Sequence, residues 1–295
     1  MTEGGRVNVM FKRTHRQGHW IVRLGQATVV ALVLQAPQPS LAQGKDWPDK
    51  VTARYKISFG GLEIGKVRFE STADSQKYSL TANAKFSALL GAFRWSGKTQ
   101  SSGLLRADDP QPGDYNFDFK SNSRRGSVEM AFDRAGVTSA TVEPTPRPSK
   151  NRVPVEDKHL KGVLDPLSAV LALSRSGTGN PCSQKLAIFD GRQRFDLILT
   201  PRREERIQEA RPSGQPTTGY VCHARLVPIA GHREKGEGSS SWVSEDEVEV
   251  ILRPVPRANL LVPYQVTIPT SVGRAIVTAE RVEITTGEDQ IALVD

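Results

Sequence analysis

From Val51 onward the apolar residues recur with a period of two, and no other feature restricts the possible folds as much. Side chains of a strand alternate between two faces, whereas a helix repeats every 3.6 residues. Tyr55-Lys56-Ile57-Ser58-Phe59 alternates, breaks at Gly60-Gly61, and resumes from Leu62 to Ser71 with Ile64, Val67 and Phe69, which predicts a hairpin. The runs 77–86, 93–105, 114–121, 127–133 and 136–142 continue the series, most of them joined by short Gly, Asp, Ser or Asn turns. Such a series is an antiparallel meander.

Pro144-Thr145-Pro146-Arg147-Pro148, extended to Pro154, interrupts the meander with residues that neither complete a ladder nor coil into a helix. It is read as a connector between two halves of one fold, with two independent domains as the alternative. Beyond it, Asp165 stands as an N-cap and Pro166 as the first helical residue; Leu167, Val170, Leu171 and Ser174 follow at helical spacing, with Gly177 to stop the helix. Its apolar side should cover an end or the concave face of the sheet. Strands resume at 185–189 and 194–200 around Asp190-Gly191, then at 206–210, 219–227, 248–252, 264–268 and 275–284. Gly231 to Ser241 reads as a mobile polar loop. The expected fold is all-β, a large curled antiparallel sheet or open, spiral-like β-barrel with one short helix, because curling limits exposed edges.

The N-terminus bears on the compartment. Lys12, Arg13, Arg16 and Arg23 precede an apolar run of 13 residues, Leu24 to Ala36, which ends at Pro37, Pro39 and Ser40-Leu41-Ala42. A membrane-spanning helix needs roughly 20 residues, so the pattern is that of a signal peptide over residues 1–42, cut after Ala42, with Met1 or Met10 as the start; a retained anchor is the alternative. Residues 43–50 would be a flexible lead-in and residues 51–295 a single β-rich domain in the periplasm. The leader holds five of the 40 Lys and Arg and one of the 32 Asp and Glu, which leaves 35 basic against 31 acidic residues, or +4. Those charges are scattered along the strands, a weak basis for a nucleic-acid partner. Two cysteines, Cys182 and Cys222, form an even pair in an oxidising compartment and are expected to be bridged. His159, His223 and His232 do not stand at metal-ligand spacing from them, so no metal is expected.

Four short stretches carry a resemblance: Tyr55-Lys56-Ile57-Ser58-Phe59-Gly60-Gly61-Leu62-Glu63-Ile64-Gly65, Leu164-Asp165-Pro166-Leu167-Ser168, Phe189-Asp190-Gly191-Arg192, and Leu261-Val262-Pro263-Tyr264 followed by Gly273. In that order they resemble a family of bacterial periplasmic proteins of unknown function. More distantly, the chain is similar to alphaproteobacterial envelope-integrity proteins whose fold is a spiral-like open β-barrel held by a disulfide. That likeness implies a role in maintaining the cell envelope and supplies no catalytic residues.

Catalytic patterns are hard to find. Gly91 and Gly97 enclose five residues, two of them bulky aromatics, where a phosphate-binding loop needs four and a following helix, so no nucleotide partner is expected. A Gly-x-Ser-x-Gly elbow is missing, and Glu245, Asp246, Glu247 and Glu249 read as an edge-protecting charge run. Arg124-Arg125 and Arg202-Arg203 fall at expected turns. One patch stands out for its apolarity at a strand junction: Phe86, Leu89, Leu90, Phe93 and Trp95. Core packing on the helix at 167–173 is the first reading of this patch; as a functional alternative it lines the mouth of the curled sheet, in contact with an acyl chain or a partner protein.

The sequence thus points to a non-enzymatic periplasmic protein that needs no cofactor and supports envelope integrity by binding an envelope component, a protein or a lipid. A carrier of a lipid or other apolar ligand in the concave face is the alternative. A hydrolase would need converging titratable groups, and none is visible. A monomer is favoured.

Overall fold

Alternation does produce strands, and their pairing follows from turns too short to allow anything but antiparallel neighbours. The structure is a computed structural model and describes residues 47–88, 91–106, 109–146, 151–175, 179–233 and 248–294. The leader, Leu89, Leu90, Gly177, most of the 231–241 loop and the acidic run 245–247 lie outside these residues.

In the first half β1 (Lys50–Phe59), β2 (Leu62–Ala73), β3 (Lys77–Ala88), β4 (Phe93–Arg106), β5 (Asp109–Ser121), β6 (Arg125–Phe132) and β7 (Val137–Glu143) pair in sequence order. In the second, β8 (Gln184–Phe189), β9 (Arg194–Arg206), β10 (Thr218–Ala230), β11 (Glu249–Val255), β12 (Leu260–Thr270) and β13 (Gly273–Thr286) do the same. The halves join where β1 pairs with β13, and β14 (Asp289–Val294) adds to the far half of β13. The described strands therefore form one 14-stranded antiparallel sheet whose edges are β7 and β8, and the expected all-β, curled, unclosed sheet is borne out.

Those two edges are consecutive in the chain, so the segment between them lies where a barrel would close. Leu164 bridges Ile188 of β8 in parallel, and Gly136 bridges Lys161 beside β7. The β8–β9 turn reaches across as well: a Cβ on Gly191, whose φ is +91°, would stand 2.4 Å from Val128 on β6. The same segment carries α1 (Pro166–Leu173), the one α-helix among the described residues. Asp165 caps it, accepting from the amides of Leu167 at 2.9 Å and Ser168 at 3.0 Å, with Pro166 in the first turn. A helix of eight residues is marginal alone. It is held because Leu167, Ala169, Leu171 and Leu173 are all buried on the concave side of the sheet.

The register decides which residues face inward. Val51, Ala53 and Tyr55 of β1, Val67 and Phe69 of β2, Tyr78, Leu80 and Ala82 of β3, and Tyr115 of β5 share the concave face. On β13, Val282 and Ile284 stand opposite Ala53 and Val51 and extend it.

Some expectations need correction. The run 206–210 is not a strand: β9 continues to Arg206, and Ile207 packs against Val221 and Ile251 on the outer side of the sheet. Arg202 and Arg203 accordingly lie within β9 and pair with Glu249 at 3.0 and 2.8 Å, not at a turn. Residues 47–50 are not a loose lead-in; Trp47 is buried in the core and Asp49 accepts from the amide of Gly287 at 2.6 Å. β14 was not expected at all. Around it the outer side of β11 holds a buried ion pair, Arg253 with Glu209, in which Arg253 also donates to Ser213 at 3.1 Å and to the Pro216 carbonyl at 3.2 Å. Burial acts to raise the Glu209 carboxyl, but its bonds to Ser213 and Arg253 outweigh that and hold it below the usual range.

Candidate functional site

The concave face is partly filled. One end is occupied by α1, and next to it lies a cavity of about 310 Å³. Its walls come from Ala53 and Tyr55, Val67 and Phe69, Ala82, the helix residues Val170 and Leu171, and Leu252, Val262 and Val282 of the second half. Small-molecule sites span roughly 300–1,000 Å³ and are mostly apolar, so size and lining both fit such a site. Several wall residues, including Val67, Phe69, Ala82, Val266 and Val277, are only half-buried although they face inward. Apolar groups in a finished core would be covered. Burial pushes the Tyr55 phenol well above its ordinary value, so it stays neutral there.

Away from the helix the same face becomes aromatic. Phe86 of β3 stacks on Trp95 of β4 with centroids 5.2 Å apart and meets Phe93 at 5.7 Å; Trp95 reaches Phe117 of β5 at 6.5 Å, and Phe117 stacks on Phe119 at 5.8 Å. These are separations at which aromatic pairs attract. Gly97 makes the arrangement possible: a Cβ there would lie 2.5 Å from the Trp95 ring. None of the five rings is fully buried, and Phe93 is 40% exposed.

Of the residues expected to contact a ligand, Phe86, Phe93 and Trp95 therefore come together, while Leu89 and Leu90 lie outside the described residues. Phe86, Phe93 and Trp95 do not pack on the helix. Ser168 of α1 instead touches Tyr78 and Ser101, eight and six residues along β3 and β4 from Phe86 and Trp95. Phe117 and Phe119 complete the stripe although the sequence alone did not single them out; their alternation with the polar residues Asn116, Asp118 and Lys120 was the available signal.

A buried polar cluster fixes the helix end of the concavity. Ser101 donates to Asp165 Oδ2 at 2.9 Å, Ser168 Oγ donates to the same oxygen, and the Tyr78 hydroxyl lies 2.7 Å from Ser168 Oγ. Burial is the largest influence on Asp165 and holds its carboxyl above the usual range despite these bonds. Asp165 and Ser168 have no exposed surface at all. A serine, a carboxylate and a tyrosine thus meet out of contact with solvent, and their geometry is that of an anchor for the helix.

The disulfide joins Cys182 to Cys222, as expected, with Cα atoms 5.2 Å apart. Cys182 precedes β8 and Cys222 lies in β10, so the bridge ties together two strands that are separated by β9. Both sulfurs sit in a cluster with Leu173, Leu199, Leu252 and Leu261 beneath the end of α1. A formed disulfide is the usual condition of exported proteins. Among the described residues no helix is long and apolar enough to cross a membrane.

Comparison with known proteins adds the family. No curated protein matches the chain. Among solved structures, a β-barrel-like protein of the domain of unknown function DUF1849 from Brucella abortus is similar at 7% identity and a TM-score of 0.46, covering 82% of this chain and 99% of that one. The hypothetical protein CT021 from Chlamydia trachomatis is similar at 11% identity and a TM-score of 0.25, over 82% and 92% of the two chains. With residues 54–280 matching the family described as "Protein of unknown function (DUF3108)", the chain belongs to that family.

Proposed function

We propose that this protein is an exported, non-enzymatic binder of an elongated apolar molecule, an acyl chain in the simplest case, and that it serves the cell envelope from the periplasm after losing residues 1–42. One observation carries the reading: inward-facing apolar groups line a cavity of about 310 Å³ and remain half-covered. Burying such surface on an acyl chain is favourable by about 25 cal/mol per Å². The aromatic stripe from Phe86 to Phe119 extends the apolar path along the same face. Trp47 adds a buried indole Nε1 at the cavity wall without a hydrogen-bond partner among the described residues, a donor suited to a ligand's polar end.

Ala82 points into the cavity from β3, so Ala82→Trp fills it with little change elsewhere. Titration with a fluorescent fatty acid should show saturable binding to the wild type and a loss of about tenfold or more in the variant, given that about 1.4 kcal/mol is tenfold. Equal binding by both, with the variant folded, contradicts the assignment.

A further inference from the structure

The register gathers cations that the sequence scatters. Lys56 of β1 stands opposite Lys66 of β2, which stands opposite Lys85 of β3; Lys85 faces Ser96 of β4, Ser96 faces Lys120 of β5, and Lys120 faces Arg125 of β6. Five of these six positions are basic, in one rung on the convex face of the sheet. At a strand spacing of about 4.8 Å the rung spans roughly 24 Å. The next rung adds Arg54, Arg68 and Lys98, with Asn83 and Asp118 between and beside them.

Like charges directly opposite each other cost stability. Lys66 is relieved by Glu63 at 3.3 Å and Arg68 by Glu70 at 2.6 Å. Asp118 stands opposite Lys98 in the register, but among the described residues no carboxylate comes within 4.0 Å of the cations of Lys56, Lys85, Lys98, Lys120 or Arg125. The sheet thus keeps a repulsive band that an anionic surface would neutralise.

A second observation selects the surface. Phe59 pairs with both Leu62 and Ala275, and Ala88 pairs with Phe93, so the β1–β2, β3–β4 and β12–β13 turns share one end of the sheet. That end exposes Leu62 at 73%, Val272 at 71% and Phe93 at 40%. Lys66 lies four residues from Leu62, about 13 Å along a strand. Apolar tips with cations about 10–13 Å behind them suit a bilayer, where apolar groups enter roughly 5–10 Å and basic side chains meet lipid phosphates. A nucleic acid or soluble polyanion would leave the tips without a role.

We infer that this end of the sheet docks on a bilayer of anionic phospholipid, with Leu62, Val272 and Phe93 inserted and the Lys56–Arg125 rung against the phosphates. The inference does not use the ligand cavity, although Phe93 also belongs to the aromatic stripe beside it. It also places α1 at the end away from the lipid.

Flotation with vesicles tests it. The wild type should float with an equal mixture of phosphatidylcholine and phosphatidylglycerol and not with phosphatidylcholine alone. Lys66→Gln, Lys85→Gln and Lys120→Gln together should weaken binding about 100-fold, at roughly fivefold per cation, and should raise the melting temperature by relieving repulsion. Leu62→Ser with Val272→Ser should abolish the part of the binding that survives high salt. Lys158→Gln with Arg257→Gln, outside the rung, should change nothing. Equal flotation with neutral vesicles, an unaffected triple variant, or a tip variant that binds as the wild type would each overturn the inference. So would a DNA oligonucleotide binding as tightly as the vesicles.

Discussion

At the scale of single residues, Asp165 does the most with one side chain. It caps α1, accepts from Ser101 and Ser168, and through them fixes the Tyr78 hydroxyl, so helix, β3 and β4 meet on one buried carboxylate. Asp165→Ala removes the cap, about 1–2 kcal/mol, and strands buried hydroxyls at about 1–3 kcal/mol each, so a loss of about 3 kcal/mol is expected in urea unfolding. Because burial raises this carboxyl in the folded state, the folded chain holds a proton between the unfolded value, about 3.9, and its own higher value. The Asp165 contribution to stability therefore falls as pH rises through that window. Asp165→Asn keeps the cap and should flatten this part of the profile; an unchanged slope would show that Asp165 is not its source. The N-cap role was legible from Asp165-Pro166 alone. Its link to Tyr78 and Ser101 was not, because those partners belong to distant strands, Ser101 lying 64 residues away, and hydrogen bonds at such range leave no local spacing.

Among elements, the hairpins were legible wherever alternation met a Gly or Asp turn, as at Gly60-Gly61 and Asp190-Gly191. Two errors have physical causes. The 206–210 run leaves the ladder after Ile207, whose amide still donates to the Thr217 carbonyl at 2.7 Å, because the chain then turns to β14, where the Ala210 amide donates to the Val294 carbonyl at 3.1 Å. β14 is short, and its Ile291 and Leu293 show their alternation only against β13. The disulfide was legible as a pair, but what it does depends on topology: it ties the start of β8 to β10 across β9, at the edge opposite β7. The loop closed spans 40 residues, so replacing both cysteines by alanine should cost at most about 4 kcal/mol. Amide exchange should then quicken in β8 and β9 and stay unchanged in β2 to β4. Uniform acceleration across the sheet would show instead that the bridge supports the whole fold.

For the whole molecule, the decisive arrangement is an up-and-down meander whose two edges are consecutive in the chain, so that their connector becomes the plug of its own concavity. The helix's place over the concave face was legible in the sequence; the meeting of the edges was not, because the sequence shows β7, the proline-rich connector and β8 in order but not that they meet around a gap. A ligand site in the concave face was legible as an alternative, but the residues that wall it were not, because they come from strands of both halves and from α1. The cationic rung was not legible either, since Lys56, Lys66, Lys85, Lys120 and Arg125 look scattered until the register aligns them. Burial of an acyl chain against the half-covered concave face is the central claim, and native mass spectrometry of protein taken from its producing cells tests it most directly. The wild type should carry the added mass of one lipid, which Ala82→Trp lacks. Bare protein in both cases, with no uptake when lipid is supplied, would contradict it.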